Sequence, residues 1–194
     1  MPIRRLLICA LLLLASNLTQ AEESLPIYNQ WGGDFTLTDQ YGLQISLSDL
    51  RGKIILLTFG YTHCPDICPN TLLTIKSAIN RLGDQAERVQ VVFITLDPQR
   101  DYPERLKTFV EFFNPAFIAL TGNEESIAKV AKKYGMKYEK EFFDSTLEYG
   151  IAHSTIIYLI DQQSRIRAFY KLSAPASRIE QDIRRLLQTE NTHG

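Results

Sequence analysis

Apolar residues in this chain recur with two periods. Leu72, Ile75, Ile79 and Leu82 fall 3, 4 and 3 apart, the stripe of one helix face, and Gly83 supplies a stop. Leu106, Phe109, Val110 and Phe113 mark a second helix opened by Pro103. A third is capped by Thr121-Gly122-Asn123-Glu124-Glu125 and ended by Gly135, and Ile179, Ile183, Leu186 and Leu187 mark a closing helix. Mainly apolar runs at 54–59 and 89–96 predict buried strands, and 117–120 predicts a short one. Phe35 and Leu37 face Leu43, Ile45 and Leu47 across Gln40-Tyr41-Gly42, which reads as a hairpin. Residues 154–161 and 166–170 read as an antiparallel pair around Gln162-Gln163-Ser164. A strand over 138–143 is followed by a polar loop through Gly150. Residues 22–33 read as an exposed leader with Trp31 at the domain edge, and 190–194 as a frayed tail.

The order βαβα, then αββα, predicts an α/β fold with a central mixed sheet flanked by helices and an N-terminal β-hairpin. No repeat or linker divides residues 22–194, so one domain is expected. Residues 1–21 read as an address. Arg4-Arg5 precede a ten-residue apolar core, Leu6 to Ala15, and Thr19-Gln20-Ala21 forms a cleavage site. That core is shorter than the roughly 20 residues a membrane-spanning helix needs, which favours a cleaved signal peptide and a soluble periplasmic protein. Without residues 1–21 the chain keeps 19 basic and 22 acidic side chains. No basic stripe interleaved with aromatics is present, so nucleic acid is not an expected partner.

Export removes Cys9 and leaves Cys64 and Cys68 as the only cysteines. They lie where the apolar run at 54–59 turns into the first helix. If Cys68 falls in the first helical turn, both sulfurs point to one side, able to close a disulfide or hold one metal ion. The helix N-terminus favours their thiolate forms. A four-residue loop adds little stability when closed, so a redox or metal role outweighs a structural disulfide. Among the three histidines, His193 lies in the tail and His63 reads as solvent-facing. His153 precedes a predicted strand whose entering loop faces the cysteine turn in a thioredoxin-type arrangement. A half-buried histidine bonded to its own loop explains the same spacing. Two cysteines and one histidine suit Cu(I), and zinc accepts the same donors with one position open. Asp97 ends the neighbouring strand and could serve as a weak ligand or outer-shell group; a cap before Pro98 accounts for it equally well.

Phe59-Gly60-Tyr61-Thr62-His63-Cys64-Pro65-Asp66-Ile67-Cys68-Pro69 resembles the signature of the Sco/SenC family. Asp97-Pro98-Gln99-Arg100-Asp101 is similar to its second motif, and Leu120-Thr121-Gly122 and His153-Ser154 followed by Tyr158-Leu159-Ile160-Asp161 match two more. The resemblance implies a thioredoxin-like fold and copper held by Cys64, Cys68 and His153. It implies a copper chaperone for the binuclear site of cytochrome c oxidase subunit II, or a reductant of that site's cysteines, alongside other periplasmic copper carriers or thiol reductants. One departure is Ala152, where many relatives carry an acid. The competing expectation is a periplasmic thiol-disulfide oxidoreductase or redox sensor cycling a Cys64–Cys68 disulfide. Against it, the spacing is Cys-x-x-x-Cys, and His153-Ser154 stands where thioredoxins carry Thr-Pro.

Overall fold

The computed structural model describes residues 24–143 and 149–191. The predicted signal segment, residues 144–148 and His193 lie outside them. The chain runs β1 (Thr36–Asp39), β2 (Gln44–Ser46), β3 (Ile54–Gly60), α1 (Ile67–Leu82), β4 (Val89–Thr95), α2 (Pro103–Phe113), β5 (Ile118–Thr121), α3 (Glu124–Lys133), β6 (Tyr138–Phe142), β7 (Tyr149–His153), β8 (Ile156–Ile160), β9 (Ile166–Lys171) and α4 (Ala176–Asn191). Seven strands form one sheet in the order β2-β1-β5-β4-β3-β8-β9. β3, β4 and β5 are parallel, while the outer pairings are antiparallel. The expected mixed sheet is therefore present, with the hairpin β1–β2 at one edge.

Strand β3 is buried along its whole length because each face is covered. Ile54 and Leu56 point to the layer that holds α1, α2 and α4, packed by Leu72, Ile75, Leu106, Val110, Ile179 and Ile183. Ile55, Leu57 and Phe59 point to the opposite face, where α3 contributes Ile127, Val130 and Ala131. This alternation explains why a strand buried on both faces reads as a mainly apolar run. Local signals end the helices where the sequence puts them. Pro103 opens α2, the Asn123 side chain accepts the Ser126 N–H at 2.8 Å, and Gly83 follows α1 at φ +59°. Gly135 closes α3 at φ +65°, with the Trp31 ring laid over it; a Cβ there would come within 2.9 Å of that ring. Trp31 thus sits half-exposed at the domain edge, as expected.

Four expectations need correction. The leader is not simply exposed: Leu25 joins the core, Tyr28 N–H donates to the Ile166 carbonyl at 2.9 Å, and Arg167 Nε donates to the Pro26 carbonyl at 2.9 Å. Of the polar loop expected through Gly150, residues 144–148 lie outside the described residues, and Tyr149 and Gly150 instead open β7, paired with β6 in a separate two-stranded ribbon. β6 is charged along Glu139-Lys140-Glu141 and β7 carries the small Gly150 and Ala152, so cross-strand hydrogen bonds define the ribbon more than apolar periodicity does. The strand expected from residue 154 starts at Ile156, and α4 continues to Asn191, into the predicted tail.

Candidate metal centre

Strand β3 ends at Gly60, and its carbonyl accepts the Leu96 N–H at 2.7 Å, so the loops leaving β3 and β4 lie side by side. Gly60 has a steric reason to be there. A Cβ would meet Cys68 Sγ at 2.9 Å and the Phe93 ring at 2.8 Å, so the absent side chain lets Cys68 settle against the strand. The chain then turns, with Cys64 N–H on the Tyr61 carbonyl at 3.3 Å, and enters α1. Cys68 is the second residue of that helix, and its backbone N–H points at Cys64 Sγ at 3.4 Å. The sulfur takes the place of a capping oxygen, since Asp66 makes no cap bond and its carboxylate accepts from Asn70.

Both cysteines are free thiols, and their environments split them. The Cys68 thiol donates to Cys64, and the Cys68 and Asp66 N–H groups add to this, pulling the Cys64 thiol down to about 4. Cys68 is pushed well up because it holds the proton that Cys64 accepts and because it is buried beside that charge. One thiolate and one thiol are the result, with Cys64 the less covered sulfur.

His153 ends β7 and brings Nε2 to 3.6 Å from Cys68 Sγ. Its Nδ1 lies 3.1 Å from the Ser154 carbonyl oxygen, which can only accept, so the proton sits on Nδ1 and the Nε2 lone pair faces the sulfur. Both the own-loop bond and the approach to the cysteines expected from sequence are therefore present together. Tyr61 packs edge-on against the imidazole, with ring centroids 6.2 Å apart. Cys68 Sγ and His153 Nε2 thus meet between α1 and β7, with Cys64 Sγ beside the Cys68 N–H one helical turn earlier, and donors of these types suit a soft metal.

Asp97 belongs to a different group of atoms. It is fully buried; Oδ2 accepts from Arg100 Nε at 2.5 Å and Oδ1 from the Tyr149 hydroxyl at 2.7 Å. His63 is half-buried rather than solvent-facing, its Nδ1 3.9 Å from Asp101 Oδ1. Burial and the nearby Arg105 and Arg100 hold its imidazole below the usual range. The donor atoms of His63, Asp97 and Asp101 lie within 4.8 Å of one another. Their carboxylates are nonetheless engaged: Asp101 accepts from Thr62 N–H at 2.9 Å, Thr62 Oγ1 at 2.5 Å and Thr95 Oγ1 at 2.7 Å. Tyr149 carries no signal in the sequence, and Arg100 and Asp101 stand there only within the Asp97–Asp101 motif, without a role of their own. The available signal was an acid-base-acid pattern, Asp97, Arg100, Asp101, where a buried strand ends.

Known proteins bear on this arrangement. The SCO1/SenC family model matches residues 26–188. A SCO2-like protein of Rickettsia prowazekii is 41% identical over 149 residues, covering 76% of this chain and 73% of its own length. Arabidopsis thaliana ScoI, solved with copper bound, superposes with a TM-score of 0.75 at 33% identity, over 81% of this chain and 98% of that one. Bradyrhizobium japonicum ScoI, also solved with copper bound, gives 0.74 at 35% identity, over 80% and 99%. The fold is the thioredoxin-like one expected. A family match across most of the chain, with the donor-bearing turns inside it, establishes that this protein belongs to the SCO1/SenC family.

Proposed function

We propose that this protein is an exported copper metallochaperone that carries copper on Cys64, Cys68 and His153. The observation that carries the reading is the approach of His153 Nε2 to within 3.6 Å of Cys68 Sγ, with Cys64 Sγ 3.4 Å from the Cys68 N–H. Two sulfurs suit Cu(I), and an imidazole with its free nitrogen turned inward suits Cu(II) as well. Solved relatives with copper bound support the metal. Family resemblance supports cytochrome c oxidase subunit II as recipient, either of the metal or of reducing equivalents for its copper-site cysteines. In this reading residues 1–21 are a signal peptide and the protein works in the periplasm. Among the described residues no helix is long and apolar enough to cross a membrane.

Copper leaves by ligand exchange, with a recipient thiolate entering on the open side of Cys64. A second reading rests on the unequal thiols. A thiolate beside a protonated partner can also reduce a client disulfide, leaving Cys64–Cys68 oxidised and two client thiols. Copper loading and that disulfide exclude each other, since the same sulfurs serve both.

The deciding experiment is an anaerobic Cu(I) titration of the reduced protein against a chromophoric chelator, with Cys64→Ser and His153→Ala in parallel. One copper per chain is expected. Cys64→Ser should lose more than the roughly 100-fold that removing an outer-shell partner costs at most. His153→Ala should weaken Cu(II) more than Cu(I), because two thiolates still hold Cu(I). Near-wild-type Cu(I) affinity in Cys64→Ser would overturn the ligand assignment, and weak binding indifferent to His153 would favour the dithiol reductase.

A further inference from the structure

The ribbon β6–β7 pairs with no other strand among the described residues, and a lone two-stranded ribbon is marginal in water. Something must fix where its last residue, His153, points. At the far end of β7, Tyr149 is held from several sides. The Arg100 guanidinium stacks 3.6 Å above the ring centroid, and Arg100 Nη1 donates to the Tyr149 carbonyl at 3.0 Å. The Tyr149 hydroxyl donates to Asp97 at 2.7 Å, and Asp97 in turn fixes Arg100. Lys140 of β6 places its Nζ 4.9 Å from the same ring centroid. Four residues further along the strand lies His153.

The same loop acts in the other direction. Asp101, four residues after Asp97, is buried and accepts from both the backbone N–H and the hydroxyl of Thr62, two residues before Cys64. Arg105 Nε also donates to that hydroxyl at 2.8 Å. One end of the 97–101 loop therefore holds the cysteine turn, and the other holds the strand that carries the histidine.

We propose that the 97–101 loop is a caliper, in which Asp97 and Arg100 position His153 against the cysteines by gripping Tyr149, and that Asp97 acts this way and not as a copper ligand. Both Asp97 oxygens already accept charged or phenolic donors in a site where its carboxylate is fully buried. Turning it to a metal would take the acceptor oxygens from Arg100 Nε and the Tyr149 hydroxyl, each a costly loss in a buried setting. The proposal rests on the copper reading only for its metal-dependent consequences.

The test compares Tyr149→Phe and Asp97→Asn with the wild-type protein and with His153→Ala. Tyr149→Phe deletes a single oxygen and keeps the ring under Arg100, so it remains informative should Asp97→Asn fail to fold. In the metal-free reduced protein, amide hydrogen exchange at residues 150–153 should accelerate in both variants while β3 and β4 stay protected. The Tyr61–His153 ring cross-peak in NMR should weaken as well. With Cu(II) added, the imidazole nitrogen hyperfine coupling should fade, and Cu(II) affinity should drop by roughly 10–100-fold, the cost of losing the support of a ligand histidine. Cu(I) affinity should stay close to wild type.

Wild-type exchange and ring contact in both variants would overturn the caliper. So would accelerated exchange with an unchanged Cu(II) spectrum and affinity in a wild-type protein that ligates through His153. A Cu(II) defect in Asp97→Asn that Tyr149→Phe does not share would make the carboxylate a ligand and also overturn it. Wild-type Cu(II) binding that is indifferent to His153→Ala would defeat the chaperone reading instead, and the metal-free exchange and cross-peak would still decide whether the loop positions His153.

Discussion

On one face of the central sheet, Ile54, Leu56, Val91 and Phe93 meet the apolar stripes of α1, α2 and α4, and among the buried residues of that cluster Tyr170 alone brings a hydroxyl. On the other face, Ile55, Leu57 and Phe59 share their layer with Tyr61, Tyr134, Tyr149, Tyr158, Cys64, Cys68 and Met136. The first face is held by area removed from water, which is non-directional and tolerant of exact position. The second adds hydrogen bonds whose geometry is specific: Tyr158 donates to the Tyr134 carbonyl at 2.9 Å, Tyr134 to that of Gly33 at 3.3 Å, and Tyr149 to Asp97. Donor atoms that must meet within a few tenths of an ångström belong on the face where position is specified.

If this division holds, the largest loss of stability should leave the metal chemistry untouched. Ile183→Ala, fully buried on the apolar face, should cost about 2–5 kcal/mol by denaturant unfolding. Cu(I) affinity of the folded protein should remain at the wild-type value. A parallel drop in affinity would mean that the two faces are one mechanical unit.

Gly60→Ala should do the reverse. The added Cβ meets Cys68 Sγ and the Phe93 ring below 3.0 Å, so overpacking costs roughly 1–3 kcal/mol, less than the Ile183 cavity. Because Cys68 has to move, copper affinity should fall further than stability does. Full affinity in the folded variant would show that the sulfur position has slack. Tyr158→Phe is milder: removing one buried hydroxyl should cost about 1 kcal/mol and leave both thiols in place, measurable by thermal unfolding.

The same contrast explains what could be read from the sequence. Segments held by apolar area are legible because area leaves a periodicity: 54–59, 89–96 and the stripes of all four helices emerge with nearly their observed limits. The cysteine turn is legible because two thiols at a strand-helix junction have few other uses. The ribbon strand β7 is not, since Gly150 and Ala152 carry no apolar signal and β6 opposite them is Tyr138-Glu139-Lys140-Glu141-Phe142. Its position depends on Arg100 and Asp97, 49 and 52 residues earlier in the chain than Tyr149, and no local pattern encodes that contact. His63 is half-buried rather than solvent-facing for a related reason. Its surroundings come from the Asp101 loop, which sequence proximity to Cys64 does not reveal.

The finest probe of the polar face leaves the fold alone and follows one proton. In the reduced metal-free protein, the thiolate absorbance of Cys64 should appear with a midpoint of about 4 and stay constant through neutral pH. The first cause of that depression is the hydrogen bond from Cys68. Removing the donor by Cys68→Ala makes the thiolate less stable relative to the thiol, so the proton is held to higher pH and the midpoint moves up, toward the ordinary cysteine value of about 8.5. The helix N-terminus remains, so the rise should stop short of that value. At pH 6 the variant should therefore show mainly thiol where the wild type shows thiolate. An unmoved midpoint would assign the depression to the helix end, and the two cysteines would then be neighbours without being a proton-sharing pair.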